Sequence, residues 1–281
     1  MTESFSVQVS TSEVDVAGDR PIMFHGVNKS GSLAMDTVLR KGYYSARRAQ
    51  QYFSLYCGIP KFFDDFVRLM DYGSGHRFFV AHYLYRGVEP PPGTLLVTQV
   101  RHPLPRTLSV YGWLRRNWER DRGTMVGMPD LESWLTRGTR GPGHTQMAQL
   151  AVGYPPDRKE KLLSMTTRAM SEVAMENLER DFAWVGVAEH FEESIFALAH
   201  MCGLDAVPPW EKDTRNQWRQ SLEETDTRII DIIQETQADE LAFYKHAVSL
   251  FRRRIERVEF GPSLDAYKER CSGAYGERIM V

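Results

Sequence analysis

Cysteine is scarce in this sequence. Its three copies in 281 residues, Cys57, Cys202 and Cys271, are odd in number and show no CxxC spacing. That argues against a disulfide framework and against a zinc site, and makes a reducing compartment the simpler expectation. Long apolar runs are missing too, with nothing near the roughly 18 residues that cross a bilayer. The opening residues, M-T-E-S-F-S-V-Q-V-S, carry neither a basic n-region nor an apolar h-region. No secretory signal is expected, and the reading is a soluble, cytoplasmic protein. Charge of one sign is also lacking. Lys and Arg number 35 against 37 Asp and Glu, a net charge of −2. Such a balance sets up no field toward nucleic acid or membrane, so neither is expected as a partner. Any anion site must come from a local cluster. No internal repeat or low-complexity segment is visible.

What is present is enough apolar residue, 42%, to bury a large core. The pattern predicts strands at 22–24, 77–85, 94–100 and 182–187. Helices are predicted at 32–41, 46–56, 62–70, 104–119, 157–180, 189–202 and 238–257, with a capping box of Ser221 and Glu224 opening another toward Glu235. Strands alternating with helices predict an α/β fold, a parallel sheet flanked by helices, with a helical C-terminal half. Residues 1–19 read as an N-terminal extension or edge strand, 20–258 as one domain and 259–281 as a C-terminal tail.

The stretch from Arg20 to Gly42 organises the rest. It reads strand, loop, helix. Gly26 and Gly31 let the loop backbone come close to a bound group. Ser30 or Ser32 is positioned to cap the helix, and Gly42 to stop it. A loop of this kind aims backbone N–H groups and a positive helix end at one point, an anion site for which phosphate is the usual occupant. Lys29 adds a cation. The order is not that of a Walker A loop, because Gly31 is followed by Ser32 and Leu33 rather than by Lys and a hydroxyl residue. Taken alone, the loop reads equally well as an ordinary solvated turn.

Five segments in order then carry a resemblance. Asn28-Lys29-Ser30-Gly31-Ser32-Leu33 is similar to P-K-[ST]-[GA]-[ST]-[ST]. The run Arg101-His102-Pro103-Leu104-Pro105-Arg106-Thr107-Leu108-Ser109-Val110-Tyr111 is similar to R-[DN]-P-x-x-R-x-x-S-x-[YF]. His144 to Leu150 lies near N-x-Q-[TS]-R-x-L, Phe182 to Phe191 near F-x-x-V-G-[LV]-x-E-x-[FY], and Asp239 to Ala247 near D-x-x-L-Y-x-x-A. Over residues 20–255 the chain resembles the sulfotransferases that use 3′-phosphoadenosine 5′-phosphosulfate (PAPS). The likeness is to their carbohydrate branch, which includes heparan sulfate 2-O-sulfotransferases and bacterial relatives.

The resemblance implies a sheet of P-loop-NTPase type. It also implies transfer of a sulfuryl group to a hydroxyl of a small metabolite or sugar, leaving 3′-phosphoadenosine 5′-phosphate (PAP), with no metal. Lys29, Ser30, Gly31, Ser32 and Leu33 would hold the phosphosulfate, with Lys29 also stabilising the leaving group. Arg101 and Ser109 would hold the 3′-phosphate, and His82 would be the base, with His25 as runner-up. On residue type alone a structural histidine is the commoner reading of His82, which the resemblance reverses, and for His25 a strand-end histidine bonded to a neighbouring carbonyl reads at least as well. The departures are Asn28 for Pro, Leu33 for a hydroxyl residue, His102 for Asp or Asn, and His144 and Ala148 for Asn and Arg. Tyr43, Tyr44, Arg47, Arg48, Trp113, Trp118 and Trp134 are candidates either for acceptor contacts or for core. Oligomeric state is open, a homo-oligomer included. A nucleotide or metabolite kinase and a non-catalytic PAP-binding protein stand as alternatives.

Overall fold

The computed structural model describes residues 5–7, 9–10, 17–55, 76–81, 85–87, 90, 92–136, 146–153, 157–210, 222–256 and 258–271. The chain opens with two short strands, β1 (Phe5–Ser6) and β2 (Val9–Ser10), and then β3 (Ile22–His25) leads into α1 (Ser32–Ser45). Next come β4 (Tyr52–Leu55), β5 (Phe78–Ala81) and β6 (Leu95–Val100), and then α2 (Pro103–Arg122), α3 (Leu131–Thr136), α4 (Gln146–Ala151), α5 (Arg158–Leu163) and α6 (Thr167–Asp181). β7 (Phe182–Val187), α7 (Phe191–Met201), β8 (Ala206–Val207), α8 (Thr227–Thr236), α9 (Ala238–Ile255), β9 (Glu259–Phe260) and α10 (Ser263–Cys271) complete the described strands and α-helices, with 3-10 turns at Ala49–Gln51 and Ala188–His190.

Five strands form one parallel sheet in the order β4-β5-β3-β6-β7. β3 is buried at every position, as expected of a strand covered on both faces by helices. The order has a mechanical consequence. From β3 the chain moves outward to β4, whereas from β6 it moves to β7 on the opposite side. β3 and β6 are neighbours, so the chain's direction across the sheet reverses between them. The crevice beyond their carboxyl ends is therefore a topological switch point, where open α/β sheets bind ligands.

Local chemistry sets several boundaries. α2 begins at His102-Pro103, where Pro103 needs no N–H partner and the His102 ring accepts from the Leu104 N–H at 3.2 Å. The 157–180 stretch is two helices rather than one. The break falls before Thr166, whose side chain caps α6 by accepting from the Ala169 N–H. Asp226 caps α8 through the Arg228 N–H, in place of the predicted capping box. Ser221 of that box, and the helix predicted at 62–70, lie outside the described residues.

Two expectations near the first helix are corrected. Gly42 does not end α1, which runs three residues further, to Ser45. A Cβ at Gly42 would stand 3.2 Å from Leu204 Cδ1 and 3.4 Å from the Ala206 carbonyl, so the glycine allows close packing. The left-handed residue past the helix is Arg47, at φ 56°. The described part of 46–56 forms no α-helix either, since Ala49–Gln51 is a single 3-10 turn and Tyr52–Leu55 is β4. Aromatic cross-strand packing overrides their helical period, with Tyr52 stacked on Phe78, its partner in register, at 5.3 Å and 10°.

The segments at both ends of the described chain return to the domain. β1 pairs with β8 and β2 with β9, both antiparallel. α10 buries Leu264, Tyr267 and Cys271, with Tyr267 set edge-on to Phe196 of α7. After α4, Gly153 takes φ 69°, and a Cβ there would lie 2.5 Å from the Tyr85 carbonyl and 2.8 Å from Arg86 Cβ. Gly153→Ala is expected to lose more than about 2 kcal/mol of stability in urea unfolding, because clash and left-handed strain add. An unchanged midpoint would mean that the 85–87 turn moves aside freely.

Candidate functional site

The crevice between β3 and β6 is bordered by two loops, 26–31 and 101–102. In the first, Lys29 at φ 66° and Gly31 at φ 86° are both left-handed, which curls the chain back before α1 begins. Gly31 occupies the N-cap position of α1, and no side chain caps that end. The predicted cap by Ser30 or Ser32 does not form. Instead each hydroxyl lies 2.9 Å from the Val27 carbonyl, and the two lie 2.8 Å from each other. Both serines are buried, so their hydroxyls knit the loop together. The N–H groups of Ser32 and Leu33, at the first two helical positions, have no carbonyl to reach within α1. That leaves the positive helix end available to an outside acceptor. Leu33, which stands where the resembled motif has a hydroxyl, is 51% exposed.

The loop backbone is held from beneath. Thr98 Oγ1 donates to the His25 carbonyl at 2.8 Å and Gln99 Nε2 to the Ser30 carbonyl at 2.7 Å, both from β6. Arg106 Nε donates to the Asn28 carbonyl at 3.0 Å, and the Asn28 N–H donates to Gln149 Oε1 at 3.2 Å. Lys29 is thereby flanked by fixed peptides.

Cations gather here. Arg101 Nη1 lies 3.5 Å from the Lys29 carbonyl, and Lys29 Nζ stands 5.6 Å from the centre of the Trp113 ring. Burial, and then the charges of Arg116, Arg101 and Arg106, push the Lys29 ammonium down to about 8. A lysine crowded by three arginines is stabilised by an anion that offsets the repulsion.

The second loop is clamped as firmly. Gln146 Oε1 accepts from the Arg101 N–H at 2.7 Å, and Gln146 Nε2 donates to the Arg101 carbonyl at 2.6 Å. The His102 N–H donates to Glu189 Oε1 at 3.0 Å, while Tyr244 donates to the other oxygen of that carboxylate at 2.9 Å. Burial, with Arg101 and Lys245 adding, lowers His102 to about 4. The neutral ring keeps the lone pair that accepts from the Leu104 N–H, so His102 caps α2 with its own side chain.

The fold thus brings Lys29, Ser30, Gly31, Ser32, Leu33 and Arg101 to one edge. Ser109 stands farther off. α2 is helical from Pro103 onward, which puts Ser109 about 9 Å along its axis from that residue. His82 lies outside the described residues, as does His144. His25 is fully buried at the end of β3, its ring 6.0 Å from that of Tyr85. Among the acceptor candidates, Tyr43 and Trp134 are core, Arg48 bonds the Gly203 carbonyl and Gln51, and Trp118 lies under the Arg122 guanidinium at 3.7 Å. Tyr44 and Trp113 are exposed. Gln99, Arg106, Gln146, Gln149, Glu189 and Glu240 carry much of the site's order, and no sequence expectation gave them a role. The available signal was the resembled motifs themselves, in which Arg106, Gln146 and Glu189 stand at fixed positions.

No family model and no curated protein matches the chain.

Proposed function

We propose that this chain is a PAPS-dependent sulfotransferase of P-loop-like architecture, acting on a hydroxyl of a small metabolite or sugar. One observation carries the reading. Lys29, set in a left-handed loop before an uncapped helix, shares the β3–β6 crevice with Arg101. The donor has an anion at each end, and the residues present suit both. Lys29 and the first N–H groups of α1 suit the phosphosulfate, and the planar guanidinium of Arg101 suits the 3′-phosphate. When bound, PAPS supplies the activated sulfuryl group.

Lys29 places a compact positive charge where negative charge builds on the leaving phosphate. The α1 N–H groups hold the phosphosulfate oxygens, so that the acceptor oxygen can approach in line. The new acceptor O–S bond forms as the bond from sulfur to the phosphate oxygen breaks, and the acceptor proton passes to a base. On the resemblance that base is His82, histidine being the residue type whose unperturbed imidazole takes up a proton near neutral pH.

The test is turnover. PAPS incubated with a panel of alcohols, phenols and sugars should release PAP together with a sulfate ester, and Arg101→Ala should weaken PAP more than about tenfold. PAP binding without turnover on any acceptor would instead favour a non-catalytic scaffold. Unchanged PAP affinity in the Arg101 variant would sink the 3′-phosphate role.

The pH dependence follows from Lys29. Free, it loses its proton near pH 8. A bound anion favours the charged form and moves the group back toward the ordinary lysine value of about 10.4. Binding then takes up a proton in that window, and PAP affinity falls as pH rises from about 8 to 10. Calorimetry in buffers of different ionisation enthalpy reads the uptake directly. Flat affinity across the window would remove Lys29 from the anion.

A further inference from the structure

One short helix bonds to the backbone of both loops. α4 is buried at all six of its positions. Its first two N–H groups donate to one carboxylate, Gln146 N to Glu240 Oε1 at 2.8 Å and Met147 N to Glu240 Oε2 at 3.3 Å. Its last carbonyls accept from Asn177 Nδ2, Leu150 at 2.8 Å and Ala151 at 2.9 Å. Both ends are therefore fixed by side chains from α9 and α6, which satisfy two of the N–H groups and two of the carbonyls that a helix leaves open at its ends. From this pinned helix, Gln146 holds the backbone N–H and the carbonyl of Arg101, and Gln149 accepts from the Asn28 N–H. Both glutamines have no exposed surface.

We propose that Gln146 and Gln149 are positioning residues. Through them α4 sets the separation of the two anion loops, Gln146 serving the 3′-phosphate end of the nucleotide and Gln149 the 5′ end. The inference rests on the sulfotransferase reading. Its physical basis is that a buried peptide group held by a fixed partner keeps its place, whereas one that loses the partner must shift to find another. Neither glutamine touches the nucleotide in this account. Each acts through a neighbouring peptide, so each should affect one end of the ligand and not the other.

The experiment is a titration of three ligands, PAP, adenosine 3′-monophosphate and adenosine 5′-monophosphate, against the full chain and two variants. Gln146→Met removes both bonds to Arg101 at similar volume. It should weaken PAP and the 3′-monophosphate about tenfold while leaving the 5′-monophosphate within about twofold. Gln149→Met should show the mirror pattern, with the 5′-monophosphate and PAP weakened and the 3′-monophosphate spared. A role in stability alone lowers the melting temperature without that selectivity. Should a methionine variant not fold, Gln146→Ala or Gln149→Ala, which removes the same bonds without adding bulk or charge, carries the same comparison. Variants that weaken all three ligands alike, or none, overturn the positioning roles even if the parent chain binds PAP. A parent chain that binds none of the three overturns the sulfotransferase reading itself, and this inference with it.

Discussion

Replacing Lys29 by glycine should lower kcat by about 10²–10³-fold, the usual cost of removing one preorganised charge from a developing oxyanion. The same change should raise stability. Lys29 is one of three non-glycine residues at positive φ among the described residues. An L-residue there is strained by roughly 1–2 kcal/mol, and glycine is not. The lysine is also partly buried among arginines, which further disfavours its charge. Opposite signs in the two measurements identify strain kept for function. A thermal melt and a PAP-release assay on the same preparation suffice. Lost turnover with lost stability would make Lys29 a structural loop residue, and unchanged turnover would remove it from the chemistry.

Glu240→Ala should cost about 3–5 kcal/mol, the range for breaking a buried pair by removing one partner. Arg106 and Glu240 are 2% and 1% exposed, with Nη1 and Oε1 3.8 Å apart. Truncation removes the carboxylate beside a buried guanidinium and frees the first two N–H groups of α4 at once. The exposed pair Arg228–Glu132, at 2.6 Å, is shorter but solvated, and Glu132→Ala should cost less than about 1 kcal/mol. Guanidinium denaturation of the two variants compares burial against distance. Equal losses would contradict the keystone role given to Glu240.

Where the chain spoke plainly, it did so through buried runs. The apolar stretch at 182–187 has the bounds of β7, and 94–100 is within one residue of β6, because strands covered on both faces need no alternation. The switch-point loops were legible as well, since Gly31 and Lys29 sit between a strand and a helix. What misled was local period. Residues 46–56 carry helical spacing, but Tyr52 is worth more stacked on Phe78 than on a solvated helix. Gly42 looked like a stop because sequence does not show Leu204 and Ala206 lying against it. The network that orders the site was least legible. Bonds such as Gln146 to Arg101 and Glu240 to Gln146 join residues 45 and 94 positions apart, and nothing in spacing or composition marks them.

The most direct measurement is calorimetric titration of the unmodified chain with PAP, with adenosine 5′-monophosphate, and with ATP and Mg²⁺. The account predicts tight PAP binding without added metal and at least tenfold weaker binding of the 5′-monophosphate, since Arg101 then has no 3′-phosphate to hold. Preference for ATP with Mg²⁺ over PAP would contradict it and put a kinase in the same crevice.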